Sequence, residues 1–239
     1  MAIQKGPTQE SIRNMFDRLA PRYDLFNRLA SMGLDGRWRA KTLENISSGM
    51  RVLDLGCGTG DLTLAALRKV GYEGEVVGID FSEPMLQVAR ERYRKAGLNG
   101  SLRIRFEPKK AEELPIAGEL FDCVVSGFVL RNIYQNIDAI LEGVRRSLVP
   151  GGKIRFVDMT EPSNPVVRFF WKFYVGTCVA VYGKILFGKD YPIFYLTQSA
   201  ERFFRAESFV HKLRDAGFRG ARSRSFLFGV ITLYQAERE

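Results

Sequence analysis

The chain has 239 residues, enough to bury one sizeable α/β core with an accessory segment, and its 46% hydrophobic and 26% charged content is that of an ordinary globular protein. The formal charge of +9 permits attraction to phosphates, nucleic acid or an anionic membrane surface without selecting among them. Cys57, Cys123 and Cys178, with no C-x-x-C pair, read as reduced thiols of a cytoplasmic protein; no secretory h-region opens the chain, and the single His211 leaves too little for a His-based metal cluster or a serine triad.

Residues 1–9 read as loosely held. Ile12, Met15, Phe16 and Leu19 then recur at helical spacing, and Pro21 interrupts them. A second helix starts near Tyr23, and Gly33 and Gly36 break the chain before a third piece carrying Trp38 and Leu43. Residues 1–50 are therefore expected to form a helical cap that covers a ligand and walls a cavity; the plainer alternative is a cover for exposed sheet.

The run Arg51-Val52-Leu53-Asp54-Leu55-Gly56-Cys57-Gly58-Thr59-Gly60 follows. Val52, Leu53 and Leu55 make a buried strand, and the three alternating glycines make a turn whose backbone can approach a ligand closely. Asp61 to Leu67 reads as a helix. Asp80 closes a second apolar strand at 75–80, where an acid can accept hydrogen bonds from a ribose diol. A nicotinamide fingerprint would need glycine where Asp61 stands, and no G-x-x-x-x-G-K-S/T loop is present. The run resembles the S-adenosylmethionine (SAM) fingerprint of class I methyltransferases, in which an E/D-x-G-x-G-x-G turn wraps the amino-acid part of the cofactor.

Beyond it, strands and helices alternate as in a doubly wound sheet. Ser82-Glu83-Pro84 starts a helix that Gly97 ends; Leu102 to Phe106 is strand 3 and Phe121 to Ser126 strand 4, with Gly127 after it. Ile137, Ile140, Leu141, Val144 and Leu148 share a helical face, and Pro150-Gly151-Gly152 turns into strand 5, Lys153 to Val157. Between Asn164 and Gly188 aromatic residues accompany Arg168, Lys172 and Lys184 with no acid. That segment reads as a substrate lid or interfacial helix, a homodimer surface, or ordinary core, and its lysines argue against a buried membrane span. Glu207 to Ala216 is a helix stopped by Gly217, and 222–228 and 230–235 carry strand patterns with a bend or bulge at Gly229. The expected division is a cap (1–50), a SAM-binding core (51–160), an aromatic-rich lid (161–205) and a C-terminal helix and strands completing the core (206–239).

Several motifs narrow the match. Met15-Phe16-Asp17-Arg18-Leu19-Ala20-Pro21-Arg22-Tyr23-Asp24-Leu25-Phe26-Asn27, Trp38-Arg39, Gly58-Thr59-Gly60-Asp61, Ala111-Glu112-Glu113-Leu114-Pro115, Leu130-Arg131-Asn132 and the late Asp190 to Ser199 segment together resemble the quinone-biosynthetic C-methyltransferase family, which includes demethylmenaquinone and 2-polyprenyl-benzoquinol methyltransferases. The resemblance covers nearly the whole chain. It implies a class I (Rossmann-like) seven-stranded sheet, SAM as cofactor, and methylation of a ring carbon of a reduced prenylated quinone, demethylmenaquinol first among them, at or near the inner face of the cell membrane. Three positions depart from the family pattern: Gly127-Phe128-Val129 for Ser-Phe-Gly, Lys110 for Asn or Asp, and Asp158-Met159-Thr160-Glu161-Pro162 for Glu-Phe-Ser-x-Pro.

On this reading Asp54, Gly56, Gly58, Thr59 and Gly60 line the methionine end of the cofactor and Asp80 takes the ribose. Phe81 and Met85 flank adenine, and Lys110, Ala111 and Gly127 edge the site. Arg131 and Asn132 are expected to orient the ring oxygens, against the alternative of an ion pair or loop tether. Tyr23 and Asp24 are placed in a lid or in packing, Asp158 is a candidate general base or a structural carboxylate, and Tyr191 and Tyr195 are substrate contacts or aromatic core. An O- or N-methyltransferase of another phenolic or lipid-like molecule and an inactive SAM-fold assembly subunit are the alternatives. No Asn/Asp-Pro-Pro-Tyr/Phe motif supports a specific nucleic-acid substrate.

Overall fold

The computed structural model describes residues 9–97, 103–188, 191 and 195–239. Residues 1–8, Leu102 and, of the segment Asp190 to Ser199, residues 190 and 192–194 lie outside that range. Seven strands form one sheet: β1 (Arg51–Leu55), β2 (Glu75–Asp80), β3 (Arg103–Pro108), β4 (Phe121–Gly127), β5 (Leu148–Met159), β6 (Phe218–Phe226) and β7 (Ile231–Arg238). Their order is β3-β2-β1-β4-β5-β7-β6, and all pairings are parallel except those of β7. This is the seven-stranded class I methyltransferase architecture expected above. The strand order reverses between β1 and β4, so the crevice at their C-terminal ends is where such sheets take ligands.

Period-2 alternation sorts the central strands onto two helical layers. Val52, Val76, Cys123 and Val125 pack with Leu62, Ala66, Leu67 and Val70 of α4 (Asp61–Val70). Leu53, Leu55, Val77, Ile79 and Val124 face the opposite layer, built from α7 (Ile137–Ser147) and α11 (Ala206–Asp215). All three cysteines are free; Cys57 and Cys123 are buried and Cys178 is exposed.

Three cap helices precede the sheet: α1 (Gln9–Leu19), α2 (Tyr23–Ala30) and α3 (Asp35–Thr42). Pro21 falls in a short 3-10 turn between the first two. Gly33 breaks the chain with φ +76°, whereas Gly36 lies inside α3 and breaks nothing. Trp38 anchors α3 on Val157, Ile231 and Leu233. After β5, α8 (Pro165–Tyr174) runs through a π turn (Val175–Val179) into α9 (Ala180–Phe187). One face of this long helix buries Trp171, Val175, Val179 and Ala180 against Phe26 of α2 and Tyr191, so the cap and this insertion share a core.

Two strands are longer than their patterns suggest, and bulges explain both. β5 begins at Leu148 rather than Lys153, because Pro150–Gly152 are extruded where the pairing jumps from Phe121↔Leu148 to Cys123↔Lys153. β6 begins at Phe218 rather than 222, and its alternation is broken by a register shift between Arg219 and Arg222.

Candidate active site

Four loops at the C-terminal ends of β1 to β4 meet α1 to α3 around a cavity of about 490 Å³. That size suits a small-molecule ligand. Asp54, Gly56, Gly58, Thr59, Asp80, Phe81, Met85, Lys110, Ala111, Gly127, Tyr23 and Asn132, all singled out from the sequence, lie on its wall. So do Ile12, Phe16, Arg39, Phe128, Val129 and Ile133. The sequence does not mark these six as site residues, although Phe16 and Arg39 belong to its motifs and Ile12 and Phe16 recur at helical spacing.

The glycine turn is shaped for close approach. Gly56, Gly58 and Gly60 all have positive φ, which a side chain would strain. A Cβ on Gly58 would meet nothing within 4 Å, so that glycine borders open space, whereas one on Gly56 would strike the Val129 methyls at 2.5 Å. Gly60 is off the wall and opens α4 beside Ala89, its absent Cβ 3.0 Å from that methyl. The turn is held from the neighbouring strand: Asp80 accepts the Gly58 N–H at 2.9 Å through one oxygen and the Ser82 N–H at 2.9 Å through the other. The Phe81 backbone also favours the carboxylate, and acceptor capacity remains for a ligand. Burial raises the Asp80 carboxyl above its usual range, with the backbone N–H groups of Ser82 and Gly58 opposing the shift.

Asp54 lies beneath the turn, fully buried. One oxygen accepts from Thr63 Oγ1 at 2.6 Å; the other has no partner. Burial pushes this carboxyl to about 7; the Thr63 hydrogen bond opposes the shift and the charge of Asp80 adds to it. An unpartnered buried carboxylate oxygen asks for a cationic donor, as the ammonium of an amino acid would supply. The glycine turn, the Asp80 carboxylate at the end of β2 and this partnerless Asp54 oxygen have the chemistry that the parts of SAM require.

The cap is tied to the turn by charge. Thr59 Oγ1 donates to Asp24 at 2.5 Å, and Arg92 of α5 (Glu83–Lys95) bonds Asp24 at 2.8 Å, the Thr59 carbonyl at 3.0 Å and Asp61. The Thr59 hydroxyl, expected at the methionine end, is thus engaged with the cap. Tyr23, Phe16 and Tyr195 form edge-on ring contacts at 5.8 and 6.4 Å, and burial raises the Tyr23 phenol, keeping it protonated.

Arg131 and Asp158 are brought together away from the cavity wall. Arg131 Nη1 donates to Asp158 at 2.5 Å and to the Phe128 carbonyl at 2.9 Å, and its backbone N–H donates to the other Asp158 oxygen at 3.1 Å. Burial would lower the Arg131 guanidinium; Asp158, Tyr23 and Tyr195 outweigh it and hold it above its ordinary value. Asp158 is 0% exposed and stands off the cavity wall; its oxygens are engaged by Arg131 and by the Met159 N–H at 2.7 Å, an arrangement that fits the structural-carboxylate alternative better than the general base. The pair fixes the loop whose Phe128 sits at φ +67°. Tyr195 donates to Asn132 Oδ1 at 2.8 Å and lies behind the wall rather than on it. Tyr191, expected as a possible substrate contact, packs with Phe26 and Phe187 in the cap core.

Sheet order, glycine turn and the two acids at the ends of β1 and β2 define a SAM-dependent methyltransferase of class I fold. Magnesium protoporphyrin IX methyltransferase from Synechocystis PCC 6803, solved with bound SAM, shares the fold at TM-score 0.62 over the whole of both chains with 16% identity. Residues 4–238 match the pattern of the ubiE/COQ5 methyltransferase family, and the chain belongs to that family. Among its relatives are the demethylmenaquinone methyltransferase of Lactiplantibacillus plantarum, 32% identical over 96% of each chain, and the ubiquinone/menaquinone biosynthesis C-methyltransferase UbiE of Geobacter sulfurreducens, 35% identical over 96% of this chain and 89% of that one.

Two outcomes follow from the buried charges. SAM should bind more tightly as pH rises through about 7, because the cation favours the Asp54 carboxylate over its acid, and the rise should flatten in Asp54→Asn with about tenfold or greater loss of affinity; calorimetry across pH 5.5 to 8.5 checks it. Arg131→Ala strands the Asp158 carboxylate and should destabilise the fold by about 3–5 kcal/mol in urea unfolding.

Proposed function

We propose that the protein transfers the methyl group of SAM to a ring carbon of a reduced prenylated quinone, with demethylmenaquinol, the reduced form of the demethylmenaquinone in its relatives' names, as the first candidate. The observation that carries this reading is the two-part wall of the cavity. The half beside the glycine turn bears Asp54 and Asp80, suited to a cationic, ribose-bearing cofactor. Ile12, Phe16, Tyr23, Phe128 and Ile133 form an apolar, aromatic patch on another part of the wall, suited to a flat ring, among the charged residues that also line it.

Bound SAM supplies an electrophilic methyl, and the protein's work is orientation, exclusion of water and activation of the acceptor. Tyr23, protonated through burial, can donate to the ring oxygen on which negative charge accumulates. The Arg131 cation stands close enough to lower the Tyr23 phenol against that burial, so it acts on the acceptor through its field and through the loop it positions. Asn132 lines the cavity with its carbonyl oxygen accepting from Tyr195; its amide nitrogen donates to the Phe128 carbonyl at 3.5 Å and keeps a second N–H for the acceptor.

Deuteromethyl-labelled SAM incubated with a panel of reduced quinones, phenols and amines, followed by mass spectrometry and NMR, should place the label on a ring carbon of demethylmenaquinol. Tyr23→Phe should lower that turnover by about 100-fold while cofactor affinity stays unchanged. Label on oxygen or nitrogen would favour the other small-molecule reading; absence of transfer from bound SAM to any acceptor would favour the inactive assembly subunit.

The same reading places the enzyme at an anionic membrane surface. Val166, Phe169, Phe170, Phe173, Val181 and Ile185 form an exposed apolar stripe along α8 and α9, with Lys184 and Arg22 exposed at its end. No helix among the described residues is long and apolar enough to cross a membrane. A helix apolar on both faces lies against something, and cations at its end suit phospholipid headgroups. The protein should float with vesicles containing phosphatidylglycerol, and Phe169→Ser with Phe173→Ser should abolish flotation. Flotation unchanged in the double variant, or a dimer that it dissociates in light scattering, would overturn this placement.

A further inference from the structure

Trp38-Arg39 belongs to the motif set of the sequence, and its arginine stands on the cavity wall. Trp38 is buried on β5 and β7 with its ring 6.1 Å from that of Phe128, and this anchorage sends the next side chain of α3 to the cavity wall. The Arg39 guanidinium stands 5.5 Å from the Phe128 ring centroid, donates to Asp35 at 2.5 Å and lies 3.5 Å from Asp61. Its side chain is only 12% exposed. Five N–H donors are available on a guanidinium, and these contacts leave some of them free.

The other cations on the wall stand elsewhere. Lys109 and Lys110 follow β3, and the Lys109 N–H donates to the Asp80 carbonyl. Arg13 is on α1, which reaches Ser82 beyond β2 through Asp17. Arg39 is therefore the one basic side chain lining the β1–β4 half of the cavity among the described residues. With Asp80 at β2 read as the acceptor of the ribose, that half is where the amino-acid end of SAM would lie. It is also crowded with carboxylates: Asp54 with its vacant oxygen, Asp61, and Asp24 behind Thr59. These acids suit an ammonium and repel a carboxylate. A zwitterionic amino acid can seat there only if a cation meets its second charge.

We propose that Arg39 receives the α-carboxylate of the cofactor, with the vacant oxygen of Asp54 taking the adjoining ammonium. The N-terminal N–H groups of α4, which open at the same turn, reinforce the preference for an anion there. Arg39 is thus a cofactor-binding residue, and its ties to Asp35 and Asp61 aim it.

Calorimetry with two ligands separates this role from a structural tether. S-adenosylhomocysteine carries the amino acid; 5′-methylthioadenosine carries the nucleoside and sulfur without it. Arg39→Gln should weaken S-adenosylhomocysteine by about 10- to 100-fold and leave 5′-methylthioadenosine within about twofold. Arg39→Lys, which keeps the charge but loses the fork, should fall between. If both variants unfold, the wild-type protein still decides: decarboxylated S-adenosylhomocysteine should bind it more weakly than the parent by the same factor. Equal weakening of both ligands in the variants, or full affinity of the wild type for the decarboxylated ligand, would overturn the assignment.

Discussion

Asp80 reaches from the end of β2 to the backbone of the turn after β1 and to the start of α5, so the turn, the second strand and the next helix meet on two oxygen atoms. A glycine turn left to itself would sample many conformations, because glycine confers that freedom on both sides of φ = 0. Accepting the Gly58 N–H selects one of them, with positive φ at Gly56, Gly58 and Gly60 and the empty side of Gly58 facing the cavity. Burial of the acid has a cost, visible in its raised affinity for a proton, which the backbone donors offset.

The cap inherits its position from the same turn. Asp24 of α2 meets the Thr59 hydroxyl and Arg92, while Arg39 of α3 meets Asp61. Residues remote in sequence thereby close over one space, and the aromatic residues of α1 and α2 become its wall. On the opposite side Arg131 and Asp158 hold the loop after β4, including the left-handed Phe128 that places an aromatic ring beside Arg39. The three departures from the family motif take on physical meaning here. Val129 fills the space directly over Gly56, Lys110 stands on the wall beyond β3, and Asp158 is the shorter acid that still reaches Arg131.

Much of this was legible in the sequence because it is encoded locally. The turn, its acid at position 80 and the serine that caps α5 are short-range patterns with their own chemistry, and the structure shows Ser82 accepting the Met85 N–H as such a cap does. Partnerships across the chain were not legible. Arg131 and Asp158 are 27 residues apart, so the sequence showed two polar residues at strand ends but not that each consumes the other. Tyr191 and Tyr195 sit one helical turn apart in sequence and look equivalent; only packing separates them, one against Phe26 and the other against Asn132. The bulges of β5 and β6 likewise break the alternation that strand reading relies on.

Cofactor and acceptor ring must share one cavity between the glycine turn and the loop at Phe128. A crystal structure with S-adenosylhomocysteine and a short-chain reduced demethylmenaquinone analogue examines this most directly. The ring is predicted to lie among Phe16, Tyr23 and Phe128, with an unsubstituted ring carbon within a methyl group's reach of the sulfur. A ring seated outside this cavity, or a cofactor whose sulfur faces away from those three residues, would contradict it.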